Sequence, residues 1–441
     1  MKKFFTTIRN IFAIEDLRTR ILNTLGFLVI FRLGSHIVLP AVNPAALNEA
    51  GGMGGIFDLL NTFLGGAFSR ASVFALGIMP YISASIVVQL LTVAVPYFTK
   101  LQKEGESGRK KINQITRVLT ILITLAQGYG YLSTTIPSEA ITMDSTFWWT
   151  ITNMIVLTAG TMFVMWLGEK ITDRGIGNGI SMLIMIGIIS LLPGSLWAEG
   201  LSRGGSELLF FILELIALFF VVMAVVMLTQ ATRQIPIQYA KQVIGGKVYG
   251  GQRQYIPLKV NAAGVMPIIF AQSLMFLPGL IASIWADTSD LANSIGQTFN
   301  SYTSWQYNLV FALLIIVFTF FYTAITVNPN QIADDLKRNG GFVPGIKPGA
   351  DTSNFIDSVL TRITLPGAIF LALVAIMPAL AVLAGVSQQF AQFYGGTSLL
   401  IMVGVILDTL NQINSYLLMR HYEGMMKSGK IRGRSENVAV A

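Results

Sequence analysis

The sequence predicts an all-α polytopic membrane protein of ten transmembrane helices, and three observations carry that reading. Hydrophobic residues make up 53% of the 441 positions and charged residues only 12%. Apolar runs recur at lengths that cross ~30 Å of hydrocarbon at ~1.5 Å rise per residue. Basic residues crowd some of the loops between these runs and nearly vanish from others.

The runs place spans at 21–39, 72–95, 117–135, 147–168, 179–197, 207–228, 262–286, 307–327, 365–385 and 396–418. The N-terminus, MKKFFTTIRN, is basic, but a long polar stretch follows and no A-x-A-like site closes the first apolar run. That run therefore reads as a retained helix rather than a cleaved signal. Of the 30 Lys and Arg, all but Arg32, Arg70 and Arg203 lie in the N-terminal segment, in the loops 97–117, 169–178, 229–260 and 328–364, or in the tail. By the positive-inside rule those segments and both termini face the cytoplasm.

Ten spans divide into two sets of five. Five is odd, so a shared fold sets the second half upside down relative to the first, as in an inverted repeat. The expected organisation is an N-terminal half over 1–195, a hinge loop over 196–206, a C-terminal half over 207–418 and a cytoplasmic tail over 419–441.

Most enzyme chemistry is missing. With no cysteine, and only His36 and His421, disulfides, thiolate metal sites and cysteine nucleophiles are excluded, and a histidine metal centre nearly so. There is no phosphate-binding loop, since GGKVYGG and GGFVPGIK have the wrong spacing, and neither H-E-x-x-H nor G-x-S-x-G occurs. No catalytic residue, metal or cofactor is expected. Arg32, Glu214 and Asp408 are the clear ionisable residues within spans. Arg32 and Asp408 lie toward helix ends, where snorkelling or a structural ion pair explains them, and Glu214 has no assignable role. The alternative class is an inverted-repeat secondary transporter, which needs carboxylate pairs near the midplane. An intramembrane hydrolase would need a nucleophile with its base.

Two segments depart from ordinary lipid-facing helix. ALGIMPYISASIVVQLL, 75–91, carries Gly77, Pro80, Ser83, Ser85 and Gln89 inside an apolar run. Unsatisfied polar groups cost several kcal/mol in hydrocarbon, so this helix faces protein or a cavity. GGMGGIFDLLNTFLGGAFSR, 51–70, is too short and glycine-rich to span, yet too apolar for a solvated loop. Periodicity leaves two readings of it open, a re-entrant piece around 56–64 and an interfacial helix lying flat outside.

The stretch 75–91 resembles the second helix of the SecY family, the channel subunits of Sec protein translocons. The resemblance extends through KEGESGRKKINQ at 103–114, GTMFVMWLGEKITDRGIGNGIS at 160–181 and PLKVNAAGVMPIIFAQS at 257–273. It continues in FFYTAITVNPNQIADDLKRNGGFVPGIKPG at 320–349 and YGGTSLLIMVGVILD at 394–408. The resemblance implies two halves closing like a clamshell on an hourglass pore, with a passive, protein-conducting function in the bacterial plasma membrane. Carried over by position, the waist would be a ring of Ile78, Ile82, Ile180, Ile184, Ile269 and Ile401. Positions 78 and 82, like 180 and 184, are i,i+4 neighbours on one helix face, and β-branched side chains are stiff. Such a collar offers a sliding chain no hydrogen bonds and sets a dewetting barrier to ions. Ordinary helix packing accounts equally for any of these isoleucines taken singly.

The resemblance also implies a plug over 57–70, including Phe57, Leu60, Asn61, Phe63, Leu64, Gly65 and Gly66, and a lateral gate with Ser83, Ser85, Gln89 and Asn261. The gate would part to release signal sequences and membrane segments into lipid. The loops 229–260 and 328–364 would be the platform for the ribosome and the SecA motor ATPase, through Lys241, Lys247, Arg253, Lys337, Arg338 and Lys347. The small membrane subunits SecE and SecG are further implied partners. Here the chain departs from the family pattern. Many relatives carry arginine at the position of Lys347 and an arginine pair at Gly246 and Lys247, and lysine keeps the charge without the bidentate fork.

Overall fold

A computed structural model describes residues 12–49 apart from 13, and 61–427 apart from 144, 204–207, 240–241, 245–246, 250–252, 273, 276–295, 297, 300 and 302. Helix dominates. Helix α1, Glu15–Gly34, opens with Glu15 and Asp16 and closes with Arg32, charges that complement its dipole. After the short α2, Pro44–Glu49, the described chain resumes at 61 and reaches α3, Met79–Ala94. Pro96 opens α4, Pro96–Lys103, and the pair bends by 98° between them. Proline restricts the residue before it to extended backbone, so Val95 ends α3. Next come α5, Glu106–Thr135, α6, Thr146–Arg174, α7, Gly179–Ser202, and α8, Leu208–Gln230. The Asn178 side chain caps α7, accepting from the amides of Ile180 at 3.1 Å and Ser181 at 3.3 Å.

The chain continues through helical residues 266–272, then α9, Trp305–Thr326, α10, Pro329–Arg338, α11, Ala350–Leu383, α12, Gln388–Ala391, and α13, Gly396–Lys427. Among the described residues six helices are long and apolar enough to cross a membrane, and the bent α3–α4 pair makes a seventh if taken as one span. The chain is an all-α polytopic membrane protein. The expected span 21–39 corresponds to α1 and 117–135 to the later part of α5, both of which carry charged ends. Span 262–286 runs largely outside the described residues.

Two departures from the sequence reading fall next to the candidate site. The span expected from 72 begins at Met79, because Ala71 and Gly77 adopt left-handed φ of 47° and 51° and the chain turns repeatedly between them. Residues 196–202, read as loop, are the last two turns of α7.

The loops 229–260 and 328–364 carry a small sheet that hydropathy did not announce. Strand β1, Thr232–Tyr239, pairs with β4, Arg253–Lys259, and on its other edge with β5, Gly341–Phe342; β2, Gln242–Ile244, and β3, Lys247–Tyr249, form a separate hairpin. Ile235, Ile237 and Leu258 from the sheet share a core with Leu336, Val343, Ile356 and Leu360.

Candidate functional site

The six expected collar isoleucines enter one apolar cluster. Ile78 is the residue preceding the first turn of α3, and the Ile82 amide donates to its carbonyl at 3.1 Å, so the i,i+4 alignment holds across the helix start. Ile180 and Ile184 follow the Asn178 cap on α7, Ile269 lies in 266–272, and Ile401 lies near the start of α13. Ile78, Ile82, Ile184, Ile269 and Ile401 are buried in the same cluster, and Ile180 packs against it partly buried. The cluster draws Leu28 and Phe31 from α1, Val164 from α6, and Phe390 and Tyr394 from the chain around α12, so it joins the two expected halves. Fully apolar contact of this kind removes area from water at ~25 cal/mol per Å² and provides no polar register.

Beside the cluster, residues 61–72 run inside the bundle. Phe63 belongs to it, while Leu64, Ala67 and Phe68 are buried in a neighbouring cluster with Leu132 and Trp149. These positions are covered by helices rather than laid flat on an outer surface. The Gly66 amide donates to the Asn61 carbonyl at 2.9 Å, and Asn61 Oδ1 accepts from the Ser69 amide at 3.1 Å, closing the turn. The Phe68 carbonyl accepts from the Tyr131 hydroxyl at 2.7 Å. Gly65 and Gly187 meet backbone to backbone: a Cβ on Gly187 would sit 2.4 Å from the Phe63 carbonyl oxygen, and one on Gly65 2.9 Å from Gly187 Cα. Across the bundle Thr62 donates to Gln392 Oε1, both residues being buried. Phe57 and Leu60 lie outside the described residues.

The expected seam is sparsely joined. Ser83 and Ser85 are partly buried on α3, Gln89 is exposed, and the Tyr322 hydroxyl of α9 reaches Gln89 Oε1 at 3.5 Å, the long limit of a hydrogen bond. Asn261 is buried just after β4, and its Oδ1 has no partner among the described residues. Lys337 and Arg338 close α10 and Lys347 stands at a tip before α11, all three exposed. Lys241 and Gly246 lie outside the described residues, as do the side chains of Lys247 in β3 and Arg253 in β4.

Three polar contacts were not anticipated. Arg32 donates through Nη1 to the Gly65 carbonyl at 2.8 Å, so it ends on backbone rather than on an acid. Asp408 is exposed on α13. Glu214 is held by Arg203, whose Nη2 reaches Glu214 Oε1 at 2.8 Å and whose Nε reaches Glu199 Oε1 at 3.2 Å. The sequence signal was present in EGLSR at 199–203, an acid and a base one helical turn apart beside an otherwise base-free loop.

Set against known proteins, residues 72–410 match the SecY family model. The chain belongs to the SecY family. A curated SecY relative, the protein translocase subunit of Streptomyces galbus, is 44% identical over 439 residues, 96% of this chain and all of that one. Three solved structures share the SecY fold at 16% identity, covering 90% of this chain and 92% of each. One is described as a protein-conducting channel, with a TM-score of 0.64. A second, at 0.61, is a SecY protein whose plug domain stabilises the closed state and maintains a membrane seal. The third, at 0.60, is canine Sec61 in a ribosome–channel complex.

Proposed function

We propose that the chain is the channel subunit of a protein translocase, a passive conduit that passes unfolded secretory proteins across a membrane and releases transmembrane segments sideways into lipid. The observation that carries this reading is the buried isoleucine cluster spanning both halves of a SecY-family chain. Six aliphatic side chains from four separate segments form the waist, Ile78, Ile82, Ile180, Ile184, Ile269 and Ile401. They seal by dewetting and yield to a sliding chain because they hold nothing by hydrogen bond. Residues 57–70 act as the plug. The packing of Phe63 and the glycine contact with Gly187 support that role, and the plug of the solved SecY relative provides the precedent.

The lateral gate runs along α3, with Ser83, Ser85, Gln89 and Asn261 as its polar residues. A seam that opens repeatedly is served by small and polar side chains rather than deep apolar packing. Opening it exposes the passing segment to lipid, against which α8 already presents Leu209, Leu213 and Phe219, each more than half exposed.

The chain itself performs no bond chemistry, and partners that hydrolyse nucleotide drive transport. The basic platform of Lys241, Lys247, Arg253, Lys337, Arg338 and Lys347 receives the ribosome and SecA, and SecE and SecG complete the complex. The ribosome-bound Sec61 relative supports the first of these. The membrane is the bacterial inner membrane with both termini cytoplasmic, as the distribution of Lys and Arg indicates. Purified chain reconstituted in liposomes with SecE and SecG, and supplied with SecA, ATP and an unfolded precursor, should give protease-protected precursor. Uptake of small solutes without precursor protection would favour a transporter instead.

A further inference from the structure

The connection between α11 and α13 touches two places that matter separately. At its start, Arg203 Nη2 donates to the Gly385 carbonyl, and the Ser387 amide donates to Glu199 Oε2 at 3.2 Å. Glu199 is 1% exposed, and it and Arg203 are in turn tied to Glu214 through the Arg203 guanidinium. One charged group of three residues therefore fastens the end of α7, the first part of α8 and the turn after α11. Seven residues beyond Gly385, the same connection supplies Gln392, which accepts from Thr62 in the plug segment. Between these ends Phe390 and Ala391 are completely buried, and α12 gives the stretch a fixed shape.

We propose that residues 385–392 form a strut coupling the hinge to the plug: the Glu199–Arg203–Glu214 group holds its near end, Gln392 holds Thr62 at its far end, and the two fastenings release together. This rests on the plug reading above and on the hinge expected over 196–206, of which 196–202 are the last turns of α7. A segment clamped in buried contacts at both ends cannot follow a hinge rotation at one end while staying in register at the other, because packed interiors shift between discrete arrangements. Loosening the hinge group thus weakens the hold on Thr62, and loss of that hold frees the hinge. Arg203, Glu199 and Gln392 are positioning residues for gating.

The test is the idle ion conductance of the full chain in planar bilayers. Deletion of 57–67 should conduct; a silent deletion refutes the plug reading and the strut with it. With the deletion conducting, Arg203→Gln and Gln392→Ala should each raise idle opening by about fivefold or more, the range of ordinary site coupling, and the double variant should open no more than the stronger single one. Glu199→Gln gives the milder lesion. An amide has one acceptor oxygen where the carboxylate has two, so it serves Arg203 or Ser387 but not both. If Arg203→Gln does not assemble, Glu199→Gln decides. Arg117→Gln, which breaks the exposed pair with Glu169, should stay silent. Because the chain has no cysteine, Thr62→Cys with Gln392→Cys can be joined by a short bifunctional thiol reagent, which should silence the leak of Glu199→Gln. Hinge variants as silent as the parent, singles whose effects multiply in the double, or a leak that persists through the joined pair would each overturn the strut.

Discussion

Arg32 and Arg70 donate to the same acceptor, the carbonyl oxygen of Gly65, at 2.8 Å and 2.9 Å. Two guanidinium groups share one backbone oxygen, and the residue that offers it stands at a left-handed φ of 62°. Their mutual repulsion makes the carbonyl dipole between them the stabilising element. The turn that positions Phe63 and Leu64 is therefore fastened from α1 and from its own end.

Arg32→Met removes the α1 fastening while keeping most of the side-chain volume. A hydrogen bond from a charged group contributes about 1.5–3 kcal/mol, so the local turn should loosen by that order. We expect raised idle conductance with a small drop in melting temperature in detergent. A large drop with unchanged conductance would make Arg32 a purely structural residue.

Gly187→Val tests the backbone contact between α7 and residues 63–65. Valine is the better helix former, so intrinsic propensity alone should stabilise α7 by roughly a few tenths of a kcal/mol. Its Cβ would meet the Phe63 carbonyl at 2.4 Å, and overpacking of this kind costs about 1–3 kcal/mol. The expected result is displacement of residues 61–66 and a leaky channel, checked by conductance alongside thermal unfolding.

Cysteines at Ile82, Ile184, Ile269 and Ile401 should all crosslink to the same part of a stalled translocating chain carrying one cysteine. A disulfide requires Cα atoms within ~7 Å, so a distant helix face gives little false signal. Leu313, which is 57% exposed, and Phe370, which packs against a different cluster, should stay uncrosslinked. Capture at the controls but not at the four isoleucines would remove the collar assignment.

Lys347→Glu reverses charge on the exposed tip before α11. Binding of ribosomes or SecA to proteoliposomes should weaken at low salt, and the difference should narrow toward ~1 M, where the Debye length falls to ~3 Å. Insertion and abundance should be unchanged. Equal flotation of both partners would take Lys347 out of the docking surface.

Helix positions were readable because long apolar runs and Lys/Arg placement are strong, additive signals. The start of α3 was not, since the left-handed backbone at Ala71 and Gly77 breaks a stretch from 72 that hydropathy alone presents as continuous. The candidate collar came from resemblance and i,i+4 spacing, and the structure then brings its members into one cluster. Arg203 was visible as an isolated base but not as a partner of Glu214, eleven positions on, because that pairing depends on how α7 and α8 fold back on each other. Thr62 and Gln392 stand 330 positions apart, and no single-sequence periodicity links them. The strands of 232–259 were missed because two prolines, Pro236 and Pro257, sit within them.

The pairing of β1 with β5 has a mechanical consequence. Gln238 lies opposite Phe342 and Tyr239 opposite Gly341, so a strand leaving α8 is stitched to a strand leaving α10, and both share a core with α11. Two loops that are a hundred positions apart in the chain thus form one stiff handle with three helices rooted in it. Load applied at any point on that handle would be divided among α8, α10 and α11 rather than carried by a single loop.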